Sequence, residues 1–160
     1  MKIKRLEKSD LNAIIKLYDD IRSKTYTLWD NGYPSEELIL WDIEREALWG
    51  VFEGDDLIAI SFAGERCEDN EEGFSWRENF KKRGTFARIG VSPDYQNRGV
   101  GTFLVDFILK ELKEQGFDGV RILVGVKNIN AQKLYKKFGF VNCGEANRYG
   151  HDYYLYELKL

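Results

Sequence analysis

At 160 residues and 43% hydrophobic, the chain is long enough to bury about two-thirds of its unfolded surface, and residues 1–160 read as one domain. A net charge of −3 excludes a general nucleic-acid binder, which needs a basic face or stripe. Two cysteines, Cys67 and Cys143, make no disulfide framework, and without a CxxC or Cys/His cluster no metal site is expected. The N-terminus, Met1 to Leu6, lacks the apolar core of a signal peptide, and no window is long enough to span a bilayer. A cytoplasmic location without membrane association is therefore expected.

Ile3 to Leu6 reads as a short strand. Ser9 is expected to cap a helix whose apolar positions Leu11, Ile14, Ile15, Tyr18 and Ile21 share one face. A loop through Trp29-Asp30-Asn31-Gly32-Tyr33-Pro34 follows, and Ser35 caps a second helix with Leu38, Ile39 and Ile43 inward. Leu48–Phe52 and Leu57–Ala63 flank Gly54-Asp55-Asp56, a hairpin signal. Phe86–Val91 is the next strand, leading through a glycine-containing loop into a helix over Val100–Gln115. Val100, Phe103, Leu104, Phe107 and Ile108 are its inward face, and Gly116 ends it. Val120–Val126 is a mostly apolar strand, as in a sheet covered on both faces. A short helix carries Ala131, Leu134, Tyr135 and Phe138 on one face and stops at Gly139; Phe140–Cys143 and Tyr153–Leu160 close the chain as strands. The pattern is α/β with a mixed sheet, without repeat or linker, and its strand–helix–strand middle should be right-handed.

Residues 64–84 stand apart. Glu65, Glu68, Asp69, Glu71 and Glu72 form an acidic patch and Lys81, Lys82 and Arg83 a basic one, with Phe74, Trp76 and Phe80 between. The segment is expected to be a solvated, mobile loop; a lid over a substrate is the other reading.

The run Val91-Ser92-Pro93-Asp94-Tyr95-Gln96-Asn97-Arg98-Gly99-Val100-Gly101 is an anion cradle by its chemistry. Free amides at a helix start, the helix dipole and missing Cβ atoms let a phosphate reach the main chain. A mononucleotide P-loop is excluded, because Thr102-Phe103 follows Gly101 where Lys-Ser/Thr is required. A dinucleotide fingerprint fails as well, with Leu104 in place of its third small residue and no acidic residue ending the strand Val120–Val126.

Gln96-x-Arg98-Gly99-x-Gly101 after a strand ending Val-x-Pro resembles the coenzyme A pyrophosphate loop of the GNAT family of acyl-CoA-dependent N-acyltransferases. Asn128-x-x-Ala131-x-x-Leu134-Tyr135-x-x-x-Gly139-Phe140 resembles that family's second signature, in the family's order and at its usual separation. The resemblance covers the second half of the chain; the first half agrees in element order only. It implies a GNAT-like mixed, mostly antiparallel twisted sheet of about six or seven strands with helices on both faces. It implies acetyl-CoA as cosubstrate, with no metal. It assigns Ile89, Gly90 and Val91 to the pantetheine arm, and the loop Gln96, Asn97, Arg98, Gly99, Val100, Gly101 and Thr102 to the pyrophosphate. Asn128 falls at the mouth of the cofactor cleft, unless it serves only as a helix cap. Tyr135 is implied as the general acid that protonates the thiolate, against a reading as a core tyrosine.

Acetyl transfer also needs a neutral amine and a proton acceptor. No carboxylate lies in Thr85–Val91, so Glu65, His151 or a water chain is left for the base. Trp29 and Tyr33, in the loop that borders the acceptor cleft in this fold, are candidate acceptor contacts. Arg88, on a strand expected to be buried, requires an anionic partner, from the protein or from an acceptor carboxylate. The expected reaction is acetyl transfer to a primary amine of a small molecule by direct attack in a ternary complex, with homodimerisation left open. A peptide or protein acetyltransferase and a non-catalytic acyl-CoA-binding module are the alternatives.

Overall fold

The computed structural model describes residues 1–30, 32–66 and 71–160. Cys67, Glu68 and Asp69 lie outside the described residues, as does Asn31. Seven strands form one sheet in the order β1-β2-β3-β4-β5-β7-β6. They are β1 (Lys2–Arg5), β2 (Leu48–Glu53), β3 (Asp56–Glu65), β4 (Arg83–Val91), β5 (Gly119–Gly125), β6 (Val141–Arg148) and β7 (His151–Lys159). The helices are α1 (Leu11–Lys24), α2 (Glu36–Glu44), α3 (Val100–Glu114) and α4 (Ile129–Lys137). The pairs β1–β2, β2–β3, β5–β7 and β6–β7 are antiparallel, whereas β4 and β5 run parallel through Arg83↔Gly119 and Gly84↔Val120. The mixed, mostly antiparallel sheet expected from the sequence is therefore present. Among the described residues no helix is long and apolar enough to cross a membrane.

Contacts divide the chain into two compact units, Met1–Ala63 with Ala87–Phe107, and Gly64–Phe86 with Ile108–Leu160. In the first, α1 buries Ile14, Leu17, Tyr18 and Ile21, the spacing of one helical stripe. They pack with Ile39 and Ile43 of α2 and with Leu48, Ile60 and Phe62 of the β2–β3 hairpin. Ser35 caps α2, its hydroxyl accepting from the Leu38 amide at 3.1 Å. Leu38 is only half-buried; the third inward position of α2 is Asp42. Ser9 is not the cap of α1. A single 3₁₀ turn, Lys8–Asp10, precedes the helix, and the carboxylate of Asp10 accepts from the Glu7 amide at 2.8 Å.

The inward face of α3 also differs from expectation by one residue. Val100, Leu104, Ile108 and Leu112 are buried at four-residue spacing, together with Val105. Phe103, a hundred degrees round from Leu104, is 38% exposed. Phe107 is half-buried and meets Trp49 edge-on at 4.9 Å. Leu104→Ala should therefore cost about 2–5 kcal/mol in chemical denaturation. Phe103→Ala should cost about 1 kcal/mol or less. Equal losses would show that the exposed ring is a packing residue after all.

In the second unit, β5, β7 and β6 form a continuous antiparallel run, with β6 and β7 joined by Tyr149-Gly150. Both turn residues have positive φ, 56° and 76°, the two-residue geometry that matches strand twist. Both strands reach further toward the turn than the expected Phe140–Cys143 and Tyr153–Leu160, β6 running to Arg148 and β7 starting at His151. The segment expected to be a mobile loop is anchored over its described part. Ser75 Oγ donates to the Cys143 carbonyl, the amides of Arg77 and Glu78 donate to Glu157 Oε1 at 3.2 and 3.0 Å, and those of Lys81 and Lys82 donate to Asp118 at 2.8 Å. Phe80 is buried directly on Gly119, where a Cβ would lie 2.3 Å from its ring. Glu71 pairs with Arg66 and accepts from the Trp76 indole at 3.1 Å.

Candidate active site

The loop after β4 forms a 3₁₀ turn, Pro93–Tyr95, and then reverses through Asn97 and Gly99, at φ of 60° and 80°. The left-handed region costs asparagine little and glycine nothing, which is why these residue types stand there. The first intrahelical bond of α3 is donated by the Phe103 amide to the Gly99 carbonyl, at 3.0 Å. The amides of Val100, Gly101 and Thr102 thus have no partner in the helix. Gln96 through Gly99 are exposed, and a Cβ on Gly99 would meet nothing within 4 Å. The Arg98 guanidinium sits over the Tyr95 ring, 5.3 Å from its centroid, also exposed. The loop therefore presents a positive helix end, open main chain and one guanidinium to solvent, a set suited to a pyrophosphate.

Just before the loop, Arg88 has the protein anion its burial requires. Its Nε and Nη2 donate to the two oxygens of Asp42 at 2.8 and 2.9 Å, and the guanidinium covers the Phe62 ring at 4.6 Å. Asp42 is itself 1% exposed and also accepts from Arg45 at 2.7 Å. Burial works against the Arg88 charge, but the Tyr33 hydroxyl and the Asp42 carboxylate outweigh it and hold its pKa above the usual value. Nη1 of Arg88 donates to the Tyr33 hydroxyl at 3.4 Å, leaving that ring 39% exposed. Trp29 packs on the core of the first unit, edge-on to Tyr18 at 5.5 Å and to Tyr33 at 6.4 Å. Trp29 also lines an open recess with Asp19, Asp20, Arg22, Ser23 and Gly32. The structure thus brings Trp29, Tyr33 and Arg88 together in one unit.

Tyr135, on α4, is 6% exposed, with its ring 5.4 Å from that of Phe86 and 5.9 Å from that of Phe140. Burial pushes its phenol pKa up from a value at which tyrosine is already protonated at neutral pH. Asn128 caps α4, its Oδ1 accepting from the Ala131 amide at 3.2 Å, and it remains half-buried. Of the two base candidates, Glu65 is the exposed last residue of β3. His151 is the first residue of β7, half-buried, paired across the hairpin with Arg148.

Asp42 and Tyr18 were missed by reasoning on the sequence. Tyr18 is 1% exposed, and its hydroxyl donates to the Arg88 carbonyl at 3.0 Å. A signal for Asp42 existed. It stands three residues after Ile39 and one before Ile43, an acid on the inward stripe of α2, while Arg88 demanded an anion.

An open, seven-stranded mixed sheet carrying a glycine loop between a strand and a long helix defines a fold class with known members. The acetyltransferase (GNAT) family pattern matches residues 14–140, and the chain belongs to that family. An uncharacterized N-acetyltransferase of Methanocaldococcus jannaschii is 29% identical over 148 residues, covering 86% of this chain and 59% of that protein. A mycothiol acetyltransferase of Corynebacterium aurimucosum is 32% identical over 111 residues, 62% of this chain and 36% of that one. The ribosomal protein bS18-alanine N-acetyltransferase of Salmonella typhimurium is 28% identical over 107 residues, 62% of this chain and 71% of its own. The chain thus spans less than two-thirds of the length of the first two relatives. In fold it is similar to the PaiA N-acetyltransferase of Thermoplasma acidophilum, solved in complex with coenzyme A. The TM-score is 0.77 at 21% identity, over 99% of this chain and 98% of that one.

Proposed function

We propose that the protein is an acetyl-CoA-dependent N-acetyltransferase acting on a primary amine of a small molecule, by direct attack in a ternary complex. The observation that carries the reading is the loop: amides at the start of α3 with no partner in the helix and a left-handed Gly99 with open space over it, in a chain of the GNAT family. Acetyl-CoA supplies the activated acyl group, which a neutral amine takes with release of the thiol. In this reading Gln96 to Thr102 bind the pyrophosphate, and the Arg98 guanidinium adds a charged donor. Ile89, Gly90 and Val91 offer main-chain groups to the pantetheine arm, and Asn128 adds a side-chain amide. Tyr135 gives its phenol proton to the departing sulfur. The amine's proton leaves through Glu65, His151 or water, three routes that the pH profiles of Glu65→Gln and His151→Asn would separate. Trp29, Tyr33 and Arg88 are assigned to the acceptor side, Arg88 acting through the Tyr33 hydroxyl it holds. Residues 1–160 form one domain in this reading. Each passage of the chain between the two units, at residues 63, 86 and 107, falls inside β3, β4 or α3 rather than in a linker.

Coenzyme A should raise the melting temperature, since a ligand bound only to the folded state stabilises it by mass action. Gly99→Val and a bulky residue at Gly101 should each abolish that shift. An unchanged shift in both would place the pyrophosphate elsewhere. Thiol release with acetyl-CoA across a panel of small amines and peptides then tests the acceptor. Turnover on peptides alone would replace the small-molecule reading by a protein acetyltransferase, and binding without turnover on any amine would leave an acyl-CoA-binding module.

A further inference from the structure

Four non-glycine residues among those described have positive φ, and three of them, Glu46, Asn97 and Tyr149, stand in turns. Arg88, at φ 51°, is the one inside a strand. A left-handed arginine there breaks the alternation of the strand, and its backbone is disfavoured roughly five- to thirtyfold relative to a right-handed or extended one. Such a conformation persists only where its surroundings over-determine it. Here they do so from two sides. The Tyr18 hydroxyl takes the Arg88 carbonyl at 3.0 Å, so this oxygen is held by a side chain of α1. The guanidinium is fixed by two bonds to the buried Asp42 and by the face of Phe62. Immediately after the kink, α1 closes on the main chain: Ile21 Cδ1 lies 2.6 Å from where a Cβ on Gly90 would stand. The Ser92 amide then returns to β3, bonding the Ile58 carbonyl at 2.7 Å.

We propose that Arg88, Asp42 and Tyr18 are positioning residues that hold β4 in a left-handed kink, and that this kink aims the main chain of Ile89, Gly90 and Val91 at the cofactor. The proposal rests on the coenzyme A reading given above. It makes the Arg88–Asp42 pair a conformational clamp rather than a general stabiliser. A clamp of this kind sets the fraction of molecules that are competent to bind, and apparent affinity scales with that fraction.

The test measures the dissociation constant of coenzyme A by calorimetry on full-length variants. Glycine and asparagine tolerate positive φ, whereas alanine and above all valine do not. Arg88→Gly and Arg88→Asn should stay within about threefold of wild type, Arg88→Ala should bind about five- to thirtyfold more weakly, and Arg88→Val more weakly still. All four lose the same ion pair, so a merely structural role for Arg88 would lower their melting temperatures without separating their affinities. Should Arg88→Val fail to fold, the comparison of alanine with glycine carries the same information. Asp42→Asn supplies a second arm. It should weaken binding about fivefold in the wild-type chain and less than about twofold alongside Arg88→Gly, because a glycine needs no clamp. Equal affinities across the Arg88 series, or an Asp42→Asn effect that persists beside Arg88→Gly, overturn the proposal while leaving the cofactor assignment intact. A wild-type chain that binds no coenzyme A, or a Gly99→Val chain that binds it normally, overturns both.

Discussion

Tyr135→Phe is expected to lower kcat by roughly 10²–10⁴-fold while affinity for coenzyme A stays within about threefold, the usual worth of one positioned acid. The substitution removes a hydroxyl and almost no volume, so the contacts of the ring with Phe86 and Phe140 should survive. That matters because Tyr135 is buried among aromatic rings, where a packing role alone would explain its presence. One feature separates the readings. The kcat deficit should shrink with acyl donors whose thiols are more acidic, because a better leaving group needs less help. A near-normal kcat would make Tyr135 a core residue, and a defect confined to cofactor affinity would make it a ligand.

The largest loss of stability is expected at Glu157. Its carboxylate is 3% exposed, bonded at 2.8 Å to the equally buried Arg121 across the β5–β7 pair, and it accepts the amides of Arg77 and Glu78. Glu157→Ala breaks this buried pair and takes the acceptor from the amides of Arg77 and Glu78, a change that costs about 3–5 kcal/mol. For a chain of this size that corresponds to a fall of roughly 6–20 °C in the melting temperature. Arg121→Met combined with Glu157→Leu should be less damaging than Glu157→Ala alone, because a buried pair exchanged for apolar groups leaves no stranded charge. Calorimetry of Glu157→Ala, of the double variant and of the single variants Arg121→Met and Glu157→Leu checks this. A double variant whose loss equals the sum of the two single losses would show that the two charges act independently.

The elements built on local periodicity were legible from the residues alone. The α1 stripe, the Ser35 cap and the β2–β3 hairpin all stand where spacing and turn residues put them, and so does α4 with its end at Gly139. Periodicity is blunt where apolar residues run together. In Phe103-Leu104-Val105 three neighbours compete for one inward direction, and the structure buries the second and third. Residues 71–82 were illegible for a different reason. Their anchors, Asp118 and Glu157, lie 36 to 80 residues away along the chain, and no local pattern reports a partner at that distance. The candidate site divides the same way. The glycine loop and the α4 motif are continuous stretches. The Arg88 clamp is assembled from α1, α2 and β4, and only the need of a buried arginine for an anion pointed to it.

The anchoring of residues 77–82 fixes a spacing as well as a position. Two successive amides are committed to Glu157, two more to Asp118, and the ring between them to the bare face of Gly119. Lengths between these points cannot be traded. Inserting or deleting one residue between Glu78 and Lys81 would throw either the ring or a pair of amides out of step, whatever residue were chosen. Tolerance to insertion should therefore be lowest in a segment that, by composition, looks like the easiest place in the chain to lengthen.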